Sequence, residues 1–345
     1  MVKITILGAG ITGMMTALTL PHDHDITIVA SHLPDGSDDL HTKAWASPHA
    51  AAVWVGVHAS SPREQRMQLD GFAGLWRLAC THPESSVRRM HMTEIMDRGT
   101  ADDVWYAGKL PGFRFLAADE LPEGALYGMA YETVTLLPRV FLGWMYERLK
   151  GRGVRFVRTR VRALGELSGM GHDVLVNAAG LGVERLKDVR EMDFIPQHLQ
   201  VVIAEAPGYD RLFIRRGENG YYSTAFARMD GTAYVGGVLT EGRRELKLSE
   251  EDRSRICRQA HENQPDVFPS PDPKDWPIVT DHVAVYPTVV TRAGVRCEKE
   301  TIDGQRVIHA YGQHAGGYVF SYGLAREVRN LLDEYLFEIP VESKL

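Results

Sequence analysis

The chain has 345 residues, room for roughly two domains of ordinary size. Its 44% apolar and 24% charged residues describe a globular protein with a core of its own, and 39 Lys and Arg against 45 Asp and Glu leave a formal charge of -6. That balance excludes a dedicated nucleic-acid binder, which needs a basic surface. Three scattered cysteines, Cys80, Cys257 and Cys297, exclude a disulfide framework and a Cys-rich metal site. They suit a reducing or neutral compartment better than secretion. No apolar run reaches membrane-spanning length.

The first element is a short β-branched run, Val2 to Leu7, which leads into Gly8-Ala9-Gly10-Ile11-Thr12-Gly13 and then MMTALTL. Strand, G-x-G-x-x-G and helix in that order are the context a dinucleotide-binding loop requires. The glycines allow a tight turn, backbone approach of a pyrophosphate and close helix–strand packing, and the helix N-terminus offers N–H groups to the diphosphate. A second strand is expected at Asp25–Ala30. Ala30 and Ser31 stand where a ribose-gripping carboxylate would mark an NAD enzyme, and Asp35, Asp38 and Asp39 read as a solvated loop.

Residues 40–58 are small and sparsely charged, a composition suited to lying against a flat ligand. Apolar spacing predicts helices over 63–80 and 139–150, with a turn-rich region from 94 to 125 between them. A strand at RFVRTRV follows, then a buried strand at Asp173–Asn177 that enters Ala178-Ala179-Gly180-Leu181-Gly182. Residues 198–206, 211–215, 220–226 and 232–238 read as antiparallel strands, 249–260 as a surface helix and 263–277 as a loop. A strand at 306–311 runs into Gly312-Gln313-His314-Ala315-Gly316-Gly317, and a last helix spans about 319–336. The final three residues, Ser343-Lys344-Leu345, form a peroxisomal address recognised by an import receptor.

The expected fold class is α/β, with a Rossmann-like nucleotide domain interleaved with a second domain on a mixed or antiparallel sheet. The nucleotide domain takes residues 1–55, 140–190 and 280–345. The substrate domain takes 56–139 and 191–279.

The segments GAGITG, ASPHAAAVW, YETVTLLPRVFLGWMYERL, DVLVNAAGLG, GYYSTAF, YVGGV and YGQHAGGYVFSYG span nearly the whole chain, and together they resemble the D-amino acid oxidase family, in its fungal form. The resemblance implies noncovalent FAD, hydride transfer from a substrate Cα–H to flavin N5, and dioxygen reduced to hydrogen peroxide. Peroxisomal residence is frequent in that family, and a homodimer is compatible with it. Carried over by position, Gly8, Ala9, Gly10, Ile11, Thr12 and Gly13 would hold the diphosphate. Ala44, Ser47 and Ala51 would lie near the isoalloxazine or its ribityl chain, and Gly180 on the adenosine side. Gly312, Gln313, Ala315, Gly316, Gly317 and Tyr318 would wrap the pyrimidine ring. The last helix's N-terminus, and His314, would favour negative charge on that ring.

The sequence departs from the family at the substrate. The family's carboxylate-clamping arginine sits in a G-x-R-P segment, and here Ala284-Val285-Tyr286-Pro287 places Tyr286 there. A phenol donates one hydrogen bond but supplies no charged fork. Arg292, six residues on, is expected to leave the pocket. Of two further tyrosine positions, Tyr222 keeps its hydroxyl and Phe226 has lost it, and P-x-R-G-Q has become Pro196-Gln197-His198-Leu199-Gln200. These changes predict an aromatic, less cationic pocket that takes an amine or other substrate without a free α-carboxylate. Two alternatives stay open: dehydrogenation of a specialised-metabolite intermediate, and an ordinary D-amino acid oxidase whose arginine has moved to Arg215, Arg216 or Arg228.

Overall fold

The computed structural model describes residues 1–42, 44–189, 194–289 and 294–338, without the side chains of Asp38, Phe194 and residues 286–289. The tripeptide Ser343-Lys344-Leu345 and Arg292 therefore lie outside the described residues.

In chain order the elements are β1 (Lys3–Leu7), α1 (Ile11–Thr19), β2 (Asp25–Ala30), α2 (Pro62–Thr81), β3 (Arg88–Met96), β4 (Arg114–Phe115), β5 (Tyr127–Thr135), α3 (Pro138–Gly151), β6 (Arg155–Arg158) and β7 (Val174–Asn177). They continue with β8 (Phe194–Glu205), β9 (Arg211–Arg216), β10 (Tyr222–Ala227), β11 (Thr232–Glu241), α4 (Glu250–Asn263), β12 (Ile278–Val289), β13 (Arg296–Ile302), β14 (Gln305–Tyr311) and α5 (Ser321–Glu338).

Six strands form one sheet in the order β13-β14-β7-β1-β2-β6, parallel except for the antiparallel edge strand β13. The continuous apolar runs of β1, β2 and β7 follow from burial on both faces, as a sheet with parallel crossovers demands. One face packs on Met14, Met15, Leu324 and Val328 of α1 and α5. The other meets a separate cluster around Leu164, Val183 and Leu186. The second sheet has eight strands in the order β12-β8-β11-β10-β9-β3-β5-β4, antiparallel except for the β3–β9 pair, so it is mixed. Helix α4 covers its outer face through Ile256, Cys257 and Ala260.

The chain enters α2 through a capping box, in which the Ser61 hydroxyl and the Glu64 carboxylate satisfy each other's backbone N–H groups, with Pro62 at the first helical position. α2 crosses α5 at near-contact distance: a Cβ on Gly71 would stand 1.9 Å from the Val319 carbonyl oxygen, and one on Gly323 would stand 2.1 Å from that of Met67.

Three expectations change. The division at residue 280 runs through β12, which pairs along its length with β8 of the eight-stranded sheet. The region 94–125 is not only turns, because Glu94–Met96 complete β3 and β4 lies within it. The acidic loop is clasped rather than simply solvated: Arg158, at the end of β6, pairs with Asp35 at 2.5 Å and also with Asp39. Among the described residues no helix is long and apolar enough to cross a membrane.

Candidate active site

The cofactor side of the site begins where β1 turns into α1. Gly8 has φ +115, and a Cβ there would sit 2.3 Å from the carbonyl oxygen of Ala178 on the loop after β7. A Cβ on Gly13 would sit 1.9 Å from the carbonyl oxygen of Gly8, so only glycine lets the first turn of α1 lie this close to the strand. Two other segments are tied to this turn. The Ser47 hydroxyl accepts from the Ile11 N–H at 3.1 Å, and the Gln313 side-chain amide donates to the Thr12 hydroxyl at 2.9 Å. The buried Tyr318 hydroxyl donates to the Ser47 carbonyl at 3.0 Å and closes the triangle.

A cavity of about 780 Å³ opens beside this junction. Ile11, Ser47, Ala50, Ala51, Ala52 and His314–Tyr318 form one wall, with small side chains and exposed backbone where a flat ring would press. α5 starts just behind the 314–317 turn, as expected. The glycine cradle at the helix N-terminus and this low-relief wall together fit FAD. Ala44, which is exposed, and Gly180, which was expected on the adenosine side and opens the helical turn at 180–185, do not line this cavity. Burial holds the His314 imidazole below its usual pKa, with Glu64 opposing, so the ring is neutral at pH 7 and can offer a hydrogen bond rather than a charge.

The eight-stranded sheet supplies the opposite wall. Tyr222, Thr224 and Phe226 alternate inward along β10, beside Leu199 and Val201 of β8, Tyr234 of β11 and Ala284 of β12. Phe226 stacks on Tyr234, with centroids 6.1 Å apart and planes 17° from parallel. Burial raises the Tyr222 hydroxyl pKa, so it stays protonated and able to donate. Tyr222 and Phe226 thus occupy the predicted wall. The backbone of Tyr286 pairs with that of Gln197, but its side chain lies outside the described residues, and so does what it does in the cavity.

The pocket is nevertheless cationic at one point. Arg216, the last residue of β9, lines the cavity with its side chain 19% exposed, while Arg98 stands at the rim. Of the three arginines named as replacements, Arg216 is the one at this wall. Arg215 is held by Asp97 at 3.0 Å, and Arg228 lies 3.5 Å from Asp230. The Arg216 guanidinium pairs with the fully buried Glu94 of β3. Glu94 Oε1 also accepts from the Tyr106 hydroxyl at 2.7 Å and the Tyr131 hydroxyl at 2.5 Å. Burial pushes the Glu94 carboxyl up, but the Arg216 charge and the two hydroxyls outweigh it, leaving it below the usual carboxylate range. Arg216 is held above its ordinary value by Glu94 despite its own burial. His58 reaches the Tyr106 hydroxyl at 3.4 Å, and burial keeps its imidazole below the usual pKa.

Sequence reasoning missed Glu94, Tyr106, Tyr131 and His58. The one available signal was an acidic residue inside the apolar stretch MTEIM, a position that requires a partner if the strand is buried.

Residues 3–331 match the family model for DAO, described as FAD dependent oxidoreductase. The chain belongs to that family and is an FAD-dependent oxidoreductase. It is 30% identical over 378 residues to a D-aspartate oxidase of Talaromyces thermophilus, covering 99% of each chain. It is 24% identical over 346 residues to a D-amino-acid oxidase of Schizosaccharomyces pombe, covering 98% of this chain and 96% of that one. Its fold matches the crystal structure of glycine oxidase from Geobacillus kaustophilus with a TM-score of 0.74 at 16% identity, over 97% of this chain and 95% of the other.

Proposed function

We propose that this enzyme oxidises the C–N bond of an amine that also carries a carboxylate, with Arg216 as the carboxylate anchor and dioxygen as the final acceptor. The carrying observation is the Arg216 guanidinium at the cavity wall, fixed from behind by Glu94. The D-aspartate and D-amino-acid oxidases that the chain resembles act, by their names, on amino acids, and so support a carboxylate-bearing substrate.

On this reading the guanidinium takes the carboxylate through N–H groups that Glu94 leaves free, and the protonated Tyr222 hydroxyl donates beside it. Phe226 and Tyr234 pack the substrate's remaining face and exclude water. Residues 8–13, Ser47, Ala51 and 312–318 would hold FAD, which supplies a two-electron acceptor for the hydride leaving the substrate Cα. Fixing the carboxylate fixes the Cα–H relative to that acceptor, and orientation of this kind contributes several powers of ten in rate.

A substrate with no carboxylate is the second reading. It is favoured by Tyr286 at the family's arginine position and by the charge balance that Glu94 already gives Arg216. A panel of D-amino acids with their carboxamides separates the two, read as hydrogen peroxide release. The first reading expects the acids to be preferred, and expects Arg216→Gln to cut kcat/KM for them about 100-fold or more while leaving the carboxamides little changed, a loss of roughly 3 kcal/mol in transition-state stabilisation. Equal turnover of acids and carboxamides by the unaltered enzyme would establish the second reading instead.

A further inference from the structure

We infer that Glu94, with the hydroxyls of Tyr106 and Tyr131, is a positioning device that aims the Arg216 guanidinium at the substrate; the inference deepens the Arg216 reading above and rests on it.

The strand register brings the parts together. β3 and β9 run parallel with Met96 beside Arg216 and Glu94 beside Ile214. β3 and β5 run antiparallel with Met92 beside Tyr131. Because side chains alternate along a strand, Met92, Glu94, Met96, Ile214, Arg216 and Tyr131 all face the same side of the sheet, and Met96, Ile214 and Arg216 line the cavity there. The arginine comes from the end of its strand and the glutamate from inside its own, so the guanidinium lies between Glu94 and open cavity.

The hydrogen bonds divide the work between the two carboxylate oxygens. Oε1 is filled by two tyrosine hydroxyls, and Oε2 is left to Arg216 Nη1. Both tyrosines are fully buried, and burial together with Glu94 raises their pKa values, so they remain donors. With its first oxygen pinned, the carboxylate cannot rotate, and it presents the second at one fixed angle. No other hydrogen bond to the Arg216 side chain occurs among the described residues, and the Tyr222 ring lies 5.8 Å from its central carbon. The guanidinium is therefore held on one edge by charge and flanked by an aromatic ring, with its remaining N–H groups free for a ligand. A long, rotamer-rich side chain held this way loses its freedom before the substrate arrives, and binding need not supply that ordering.

In Glu94→Gln, an amide replaces one oxygen. If the two tyrosines keep their acceptor, the amide N–H₂ faces the guanidinium, donor against donor, and the aim is lost. A role in folding alone would affect all ligands alike, whereas a positioning role affects only those that use Arg216. The test uses the FAD-loaded enzyme and two unreactive probes of matched shape, propanoate and propanamide, with dissociation constants read from perturbation of the flavin absorbance.

Unaltered enzyme is expected to bind propanoate at least 10-fold tighter than propanamide. Glu94→Gln is expected to weaken propanoate about 10-fold and propanamide less than 3-fold. Tyr131→Phe, which leaves the ion pair in place, is expected to weaken propanoate 2- to 5-fold, and it serves if Glu94→Gln does not fold. Adding Glu94→Gln to Arg216→Gln is expected to change nothing further for propanoate. Propanoate affinity that is unchanged or tighter in Glu94→Gln, or an effect that persists undiminished in the Arg216→Gln background, would overturn the positioning role. If Arg216→Gln alone leaves propanoate affinity intact, the anchor reading itself has failed, a different result from failure of Glu94.

Discussion

The two walls of the cavity are made of different materials. Toward the cofactor, Ile11, Ser47, Ala50, Ala51, Ala52 and residues 314–318 offer mostly small side chains and glycine, and three hydrogen bonds join these segments and the turn behind them: Ser47 with Ile11, Gln313 with Thr12, and Tyr318 with Ser47. Toward the substrate, strands β3, β5, β9 and β10 offer side chains, with Arg216 at the cavity backed by buried Glu94 and flanked by aromatic rings. At Gly8 and Gly13 the cofactor side tolerates no added atom, because a Cβ there meets main-chain carbonyls that cannot rotate away. A wall built from side chains can change its chemistry one residue at a time while the sheet beneath stays the same. The contrast explains how the nucleotide loop can be kept while the side chains that face the substrate change.

The largest expected effect comes from adding one carbon to the cofactor wall. In Gly13→Ala the methyl group would stand 1.9 Å from the Gly8 carbonyl oxygen, so β1 and α1 must separate. Overpacking of this kind costs on the order of 3 kcal/mol. Purified Gly13→Ala should be largely colourless and should melt at clearly lower temperature. Phe226→Leu, a larger change in side-chain chemistry on the other wall, should keep its flavin and alter only kcat/KM. A yellow, fully loaded Gly13→Ala protein would erase the distinction between the walls.

The same contrast governs what was legible in the sequence. β2 was placed at its observed residues, α3 and β14 within one residue at each end, and α1 with its start three residues late, because apolar periodicity and glycine spacing are local signals. The cofactor wall was legible for the same reason: Gly8, Gly10 and Gly13 announce their role within one turn of chain. The substrate wall was only half legible. Tyr222 and Phe226 could be placed by family resemblance, but which arginine faces the cavity depended on a partner, Glu94, which lies 122 residues from Arg216 in sequence. Tyr106 and Tyr131 join through a loop and a neighbouring strand, and no local pattern encodes that meeting. β3 itself was partly hidden, because a charged residue at a fully buried position breaks the alternation by which strands are recognised.

Acid should weaken both sheets, through buried histidines first and through Glu94 at lower pH. On the cofactor side His309 of β14 is fully buried, accepts from the Asn177 amide at 3.2 Å and meets Glu300 at 2.9 Å. Burial, then the Arg296 charge, lowers its pKa to about 4 against the pull of Glu300. A histidine whose folded value is lowered takes up its proton first in the unfolded chain, so stability is lost as pH falls from about 6.5 toward about 4 and then levels. On the substrate side the Glu94 value is depressed, so its contribution is complete above about 4.5 and is lost only as pH falls through the folded value. Melting temperature followed against pH should therefore decline below about 6.5 through His309 together with the other histidines whose values burial lowers, His58 and His198 on the substrate side among them, and His309→Gln should reduce the slope between about 6.5 and 4. A slope that survives unchanged in His309→Gln would mean that the acid response of the cofactor side arises elsewhere.

The smallest effect distinguishes the two kinds of contact within the cofactor wall itself. Ser47 contributes a side-chain oxygen to the Ile11 N–H at 3.1 Å and a backbone carbonyl to the Tyr318 hydroxyl at 3.0 Å. Ser47→Ala removes the first and leaves the second. One part-buried hydrogen bond at a helix N-terminus is worth about 1 kcal/mol, which in a chain of this size shifts the melting temperature by about 1–2 °C. Tyr318→Phe removes the second bond and leaves the first, but it strips a hydroxyl from a fully enclosed site and leaves the Ser47 carbonyl without that donor, so its cost should exceed that of Ser47→Ala. Melting temperatures of the two variants, with FAD affinity from fluorescence, give the ranking. If Ser47→Ala releases the flavin while Tyr318→Phe retains it, a side chain rather than the backbone holds the cofactor wall together, and the wall belongs with the substrate side in kind.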